Sequence, residues 1–273
     1  MPKGLRSTEG LVRKIFKLTP AKGEVLYYRG VSDETYEPIP SVFRSSMRKR
    51  YEHRLFNELL SSNPDDFLGD ASTLDKLVRM QHHSLPTRLL DITSNPLMAL
   101  YFASAEHPDK TGQITVFRVR EASIKYFDSD TASCLANLAR LSEKGRNDLD
   151  LALPRAEFNL TASVRKLLHM IRQEKPYFDA RINPKDLSRI IVVKSKLSNR
   201  RIISQAGAFM LFGHNATFKN AINRGIIAEH ISINAGAKDV ILRQLDTLNI
   251  NSSSVFPMID STAKYITIKY DAR

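Results

Sequence analysis

At 273 residues, with 42% hydrophobic and 26% charged residues, the chain has the make-up of an ordinary globular protein long enough for a sizeable core. A net charge of +12, from 41 Lys and Arg against 29 Asp and Glu, favours polyanionic partners: RNA, DNA or phosphate-bearing ligands. The single Cys134 excludes an internal disulfide and a cysteine zinc site, and no apolar run approaches the roughly 20 residues of a membrane span, so a cytoplasmic protein without a leader or membrane partner is expected.

In chain order, 7–18 reads as an amphipathic helix with Leu11, Val12, Ile15 and Leu18 on one face and Ser7 or Thr8 as cap. A turn through Gly23 leads into Val25-Leu26-Tyr27-Tyr28, a β-prone run closed by Arg29-Gly30. An arginine there either ends the strand at the surface or points into a cleft, where its rigid fork suits phosphate or carboxylate. Gly30 would let a ligand approach the backbone closely. Segment 36–44 holds two prolines and reads as extended. A helix over 45–60 carries Met47, Tyr51, Leu55, Phe56 and Leu59 as its apolar stripe. Its charges, Arg48, Lys49, Arg50 and Arg54, read as a solvated face or as nucleic-acid contacts. A further helix from about 72 to 82 turns Leu74, Leu77 and Val78 inward.

The densest stretch is 80–104. Its first half gathers Gln81, His82, His83, Thr87, Arg88, Asp91, Thr93, Ser94 and Asn95; its second half is an apolar run. Pro96 at a first helical position, with Ser94 or Asn95 as cap, predicts a buried helix. So many polar groups beside a buried helix require partners, as a site or as a polar knot that locks the core.

Strand 113–119 follows, then a mostly helical insert over about 121–180, which is either a cap over a cleft or more core. Within it, 132–144 and 158–173 have helical spacing, and 145–148 reads as a loop. Residues 189–194 and 228–233 read as strands and 237–248 as a helix. Residues 201–212 read as a strand-like run interrupted at Gln205-Ala206-Gly207, and 265–270 alternates as a last strand. With no repeat and no linker, one α+β domain spanning 1–273 is the simplest account. No metal-ligand spacing, phosphate loop or dinucleotide fingerprint occurs.

Tyr28-Arg29-Gly30, Pro40-Ser41-Val42-Phe43-Arg44, and the run from Gln81 through Pro96 with Ala99 to Ala103 resemble the FRG-domain family, named for a Phe-Arg-Gly motif in which Tyr28 here replaces the Phe. Gln205-Ala206-Gly207-Ala208-Phe209 is similar to a later motif of that family, and Ser254 through Asp260 to its C-terminal block, with Met258 where Asp is usual. The motif order is similar to that of ADP-ribosyltransferases, whose core is a split mixed or antiparallel β-sheet flanked by helices. That similarity implies NAD as substrate, with a nucleic-acid or protein acceptor. Arg29 would face the pyrophosphate, Gly30 the nicotinamide carboxamide, and Thr93 and Ser94 the ribose, with Gln81, His82, Thr87 and Arg88 completing the binding wall.

The third transferase motif usually ends in Glu, and here reads Gln205-Ala206-Gly207, so the resemblance implies Gln205 and Asp91 as the catalytic residues. The carboxylate that stabilises a developing oxocarbenium ion would then come from Asp91, oriented by Arg88; equally, Arg88 and Asp91 form a structural pair. His82 and His83 are either acid–base groups or hydrogen-bonded core or rim residues. The transferase reading requires Arg29, Arg88, Asp91 and Gln205 to line one cleft. Its alternatives are a non-catalytic or nuclease-like nucleic-acid module, and a structural, partner-binding domain.

Overall fold

The computed structural model describes residues 4–196, 200–218 and 226–271. Helix α1 (Thr8–Lys17) starts where the Ser7 hydroxyl accepts from the Gly10 amide. Strand β1 (Glu24–Val31) runs through Arg29 and Gly30. Segment 36–44, expected to be extended throughout, closes with a 3-10 turn at Ser41–Arg44. The helix expected over 45–60 comes as two, α2 (Ser46–Arg50) and α3 (Glu52–Ser62), with the break at Tyr51. Met47 lies exposed rather than on an inner stripe. Helix α4 (Thr73–His82) opens on a capping box in which Ser72 and Asp75 each accept from the other's amide.

Strand β2 (Leu89–Thr93) is followed by α5 (Pro96–Ser104), where Asn95 accepts from the Leu97 amide and Pro96 takes a first-turn position. Strand β3 (Gly112–Arg120) and the short β4 (Lys125–Tyr126) come next. Helices α6 (Asp130–Asn137), α7 (Glu143–Asn147), α8 (Arg155–Leu160) and α9 (Ala162–Arg172) make up the insert. Its expected loop at 145–148 therefore lies mostly within α7. The chain ends with β5 (Ile190–Lys194), α10 (Arg200–Ser204), β6 (Gly207–Phe212), β7 (Ile226–Ile233), α11 (Lys238–Thr247), α12 (Ser252–Val255) and α13 (Ile259–Asp271).

Two expectations fail. The 201–212 run is not one strand: 201–204 is helical, and the chain turns at Ala206, whose φ of 46° is left-handed, before β6 begins. The 265–270 run is helical, in α13, despite its alternation. Ile266, Ile268 and Tyr270 stay largely exposed there, so no core face selects the strand, and local i to i−4 bonding decides.

The fold is α+β: a seven-stranded mixed sheet in the order β4-β5-β6-β2-β1-β3-β7, flanked by helices. All its pairings are antiparallel except β4 with β5. No helix among the described residues is long and apolar enough to cross a membrane.

The junction of β2 with β1 is unlike the others. β2 pairs with β6 over five positions and β1 with β3 over eight, but β1 and β2 share a single register pair, Tyr28 with Thr93. Continuing that ladder would pair Arg29 with Ile92 and Gly30 with Asp91; instead the strands diverge, and the sheet forks. Because alternate residues share a face, Tyr28, Gly30, Asp91 and Thr93 look to one side.

That side carries two separate cores. Over β2, β5 and β6, residues such as Leu89, Val193 and Leu211 pack with α4 and the insert helices, so the insert is core and not a cap. Over β1 and β3, Tyr28, Ile114 and Val116 pack with α5 and α11. The seam between the two lies above the fork. The opposite face buries Leu90, Ile92, Phe117 and Met210 under Phe43 and Phe218.

Glycine lets α5 seat close to its strands. A Cβ on Gly30 would lie 1.8 Å from the Ala99 carbonyl oxygen, and one on Gly112 2.1 Å from that of Ala103. The face of Gly30 that a side chain would occupy is therefore filled by α5.

Candidate functional site

The fork opens into a cavity of about 200 Å³. Strand β1 contributes Tyr28, Arg29 and Gly30, strand β2 contributes Asp91, Ile92 and Thr93, and Phe102, Arg201 and Gln205 close it. A second cavity of about 220 Å³ shares Arg29 and Asp91 and adds Ser41, Arg44, Gln81 and Ser84. Each is smaller than the roughly 300–1,000 Å³ typical of small-molecule sites, so each is sized for part of a larger ligand.

Arg29 is half-buried at the mouth of the fork. Its Nη1 donates to the Asp91 carbonyl oxygen at 2.8 Å, where a continued ladder would have placed a backbone donor. Its Nε is buried with no hydrogen-bond partner among the described residues. It makes no ion pair among the described residues, in contrast to twelve pairs elsewhere. Burial pulls the Arg29 guanidinium below its ordinary pKa; the nearby Asp91 carboxylate opposes that shift and Arg44 adds to it.

Asp91 is held by its neighbours. Gln81 Nε2 donates to Asp91 Oδ2 at 2.8 Å and to the Leu89 carbonyl oxygen at 3.3 Å, while Gln81 Oε1 accepts from the Thr87 hydroxyl. The amide orientation of Gln81 is thus fixed from both ends. No protein group among the described residues donates to Asp91 Oδ1, which leaves one carboxylate oxygen for the cavity.

The remaining expected residues fall in different places. Thr87 is buried and lines neither cavity; its hydroxyl also accepts from the Leu89 amide at 3.1 Å, so it positions Gln81 rather than a ligand. Arg88 does not orient Asp91. It is 1% exposed, and its Nε and Nη2 donate to the two carboxylate oxygens of Glu52, 3% exposed, at 2.8 and 2.5 Å. Its Nη1 donates to the Phe212 carbonyl oxygen at 3.0 Å, and Arg146 approaches the same Glu52 at 3.5 Å. The partner of Arg88 therefore comes from α3, 36 positions earlier, and local spacing could not reveal it.

Thr93 lines the cavity, but its hydroxyl donates to the Gln205 carbonyl oxygen at 2.6 Å and accepts from the Asn95 amide at 3.0 Å. Ser94 is exposed, tied to Ala206 through its amide at 3.1 Å, and lines neither cavity. The ribose contacts expected of these two are spent on joining β2 to the turn before β6. Gln205 lines the cavity with its Nε2 donating to the Val255 carbonyl oxygen at 3.1 Å. Arg29, Asp91 and Gln205 thus share one cleft and Arg88 does not, so the expected four-residue arrangement is met by three, with Arg88 given to Glu52.

His82 lies in a third cavity, of about 470 Å³, which Arg201 joins to the first. Burial, aided by Arg201, pulls its pKa down to about 4, so it is neutral at pH 7, and its Nε2 is buried without a partner. His83 lines the same cavity. Arg201 stacks over Phe256, its guanidinium carbon 5.2 Å from the ring centroid, and Phe256 meets Phe102 edge-on at 6.0 Å. Arg201, Phe102, Ser41 and Arg44 were not foreseen as site residues. Ser41 and Arg44 sit in a motif that was noticed; Arg201 was hidden because helical spacing four residues before Gln205 is invisible in a segment read as strand.

No curated protein and no solved structure matches the chain. The family model of the FRG domain matches residues 24–112, about a third of the chain. The match runs from the start of β1 to the start of β3, taking in both arms of the fork, Gln81 and α5, while Arg201 and Gln205 lie beyond it. Within the chain that builds this forked sheet, residues 24–112 match the FRG domain.

Proposed function

We propose that this FRG-domain protein is an NAD-dependent ADP-ribosyltransferase with a nucleic-acid or protein acceptor, its sheet being of the ADP-ribosyltransferase-like type. One observation carries the reading: at the fork a guanidinium without a direct ion pair, Arg29, stands beside a carboxylate, Asp91, one of whose oxygens has no partner among the described residues. A dinucleotide fits this donor set in kind. Arg29 offers the diphosphate a cation with unused donors, and Tyr28 and Phe102 offer ring surface. Gly30 faces α5 and the Thr93 hydroxyl is engaged, so neither is assigned a contact with NAD.

In the proposed reaction the bond between ribose C1 and nicotinamide breaks, nicotinamide leaves with the electron pair, and an acceptor N or O bonds to C1 and releases its proton. Positive charge grows on the ribose meanwhile, and Asp91 Oδ1, aimed by Gln81, is the group that would meet it. Gln205 forms wall in this scheme, and no glutamate is needed from its motif.

The test is incubation of the purified protein with labelled NAD and candidate acceptors, RNA, DNA and protein, alongside calorimetry of NAD binding. Labelling that disappears in Asp91→Asn and Arg29→Gln is expected. No heat of binding and no labelling with any acceptor class would sink the proposal. The net charge of +12 supports the second reading, a nucleic-acid module without transferase activity. That reading predicts RNA or DNA affinity falling steeply with salt and indifferent to Asp91→Asn.

A further inference from the structure

The cavity on the Ser84 side of Arg29 has a charge imbalance that the fold leaves unresolved. Arg29 and Arg44 both line it, and neither forms an ion pair among the described residues. Arg44 Nε donates to the Ile39 carbonyl oxygen at 3.0 Å, which fixes its stem and leaves both terminal nitrogens without a partner there. Arg29 keeps its buried, unpartnered Nε. The one carboxylate lining the cavity, Asp91, is held through Oδ2 by Gln81; it lies near enough to Arg29 to favour its charge but hydrogen-bonds it only through the backbone carbonyl. Two guanidiniums with open donors face one polar cavity lined by a single carboxylate, Asp91, and the excess positive charge suits an anion with several acceptor oxygens.

We infer that this cavity is a diphosphate subsite in which Arg29 and Arg44 clamp the two phosphoryl groups of a nucleotide, with Ser84 at the rim. This deepens the transferase reading and rests on it for the identity of the nucleotide. It moves the phosphates away from Gly30, whose open face is filled by α5, and onto the Pro-Ser-Val-Phe-Arg segment, to which no ligand role has been given. The cavity of about 220 Å³ holds a polar group of that kind and not a whole dinucleotide. The base and sugars then extend into the neighbouring cavity that shares Arg29 and Asp91. Arg44 and Ser84 are both exposed, so substitution there leaves the core intact. Ser84 has a φ of 64°, which Asp tolerates better than most residues.

The experiment is calorimetric titration of the full chain with ADP, inorganic pyrophosphate and adenosine, for the wild type, Arg44→Gln and Ser84→Asp. ADP and pyrophosphate are expected to bind and adenosine to bind far more weakly. Either substitution should weaken ADP by about tenfold or more, as expected for loss of a charge-assisted contact or for added like charge. Equal affinity for ADP and adenosine, or ADP affinity unchanged in Arg44→Gln, overturns the subsite. An unphosphorylated-end oligonucleotide that binds with the same dependence on Arg44 while ADP does not bind also overturns it, and assigns the cations to a nucleic-acid backbone. The two readings separate cleanly. ADP binding that depends on Arg44 in a protein that transfers no ADP-ribose keeps the subsite and removes the transferase. Transfer with an unchanged KM for NAD in Arg44→Gln keeps the transferase and removes the subsite.

Discussion

Arg88 and Arg29 serve adjacent strands of one sheet under opposite electrostatic conditions. Arg88 is buried, bidentate to Glu52 and bonded to the Phe212 carbonyl, so its charge and its geometry are both satisfied. Arg29 has one bond to a neutral carbonyl, a buried bare Nε, and a second cation beside it. A buried ion pair adds little over apolar packing, yet removing one partner is costly because the other is left charged in a dry place. An arginine that the fold completes is part of the fold. One that the fold leaves incomplete, at the mouth of a cavity, marks where a ligand would be needed. The polar stretch between 80 and 104 contains both kinds of chemistry, and charge alone does not tell them apart.

The largest effect is expected at the completed pair. Glu52→Ala strands Arg88 and Arg146 as two uncompensated buried cations, and should cost about 3–5 kcal/mol. Thermal unfolding should register it as a fall of at least roughly 6 °C. A change smaller than about 1 kcal/mol would mean that the pair is not what locks α3 to the sheet.

Next in size is an acid effect beside that pair. Burial, with Arg88, Lys49 and Arg146 adding to it and Glu52 opposing, holds the His214 pKa down at about 4, against 6.5 for an ordinary imidazole. Below pH 6.5 the unfolded chain binds a proton that the folded chain refuses. Stability is therefore complete above 6.5 and lost as the pH falls towards 4, by roughly 2–3 kcal/mol for this residue. Melting temperatures between pH 4 and 7 should fall less steeply in His214→Asn. Equal slopes would place His214 in a wetter environment than the fold gives it.

The smallest stability effect is expected at the incomplete arginine. Arg29→Gln and Asp91→Asn should each leave stability within about 1 kcal/mol of wild type, since one removes an unneutralised cation and the other keeps an acceptor for Gln81. Denaturant titration measures this directly. A sharp loss in Asp91→Asn would move Asp91 from the cleft to the structural side of the comparison.

Much of the framework was legible one segment at a time. Ser7, Ser72 and Asn95 cap helices, Pro96 opens α5, and the apolar strands at 113–119 and 189–194 lie where local pattern puts them. What failed depends on distant partners. The 201–204 segment is as apolar as a strand but is helical, and the 265–270 alternation is not used by any sheet. At the site, Arg29, Asp91 and Gln205 were named from motifs, whereas Arg44 and Arg201 were passed over. Thr87 and Thr93 were given ligands, yet their hydroxyls bond to Gln81 and to the Gln205 carbonyl. A hydroxyl's partner is set by what the fold brings within 3 Å, and no spacing in the chain encodes that.

The sequence by itself determined the α+β class, the net positive charge, and the concentration of chemistry between Gln81 and Asn95. It also carried the segment over 24–112 that matches the FRG domain, because caps, periodicity and short motifs are local properties. The tertiary structure decided which polar groups are completed within the fold. Glu52 takes Arg88 out of the cleft, α5 takes the open face of Gly30, and the divergence of β1 from β2 leaves Arg29 Nε and one oxygen of Asp91 without partners among the described residues. The physical reason is that hydrogen-bond and charge satisfaction is a sum over neighbours in space, most of which lie far away along the chain.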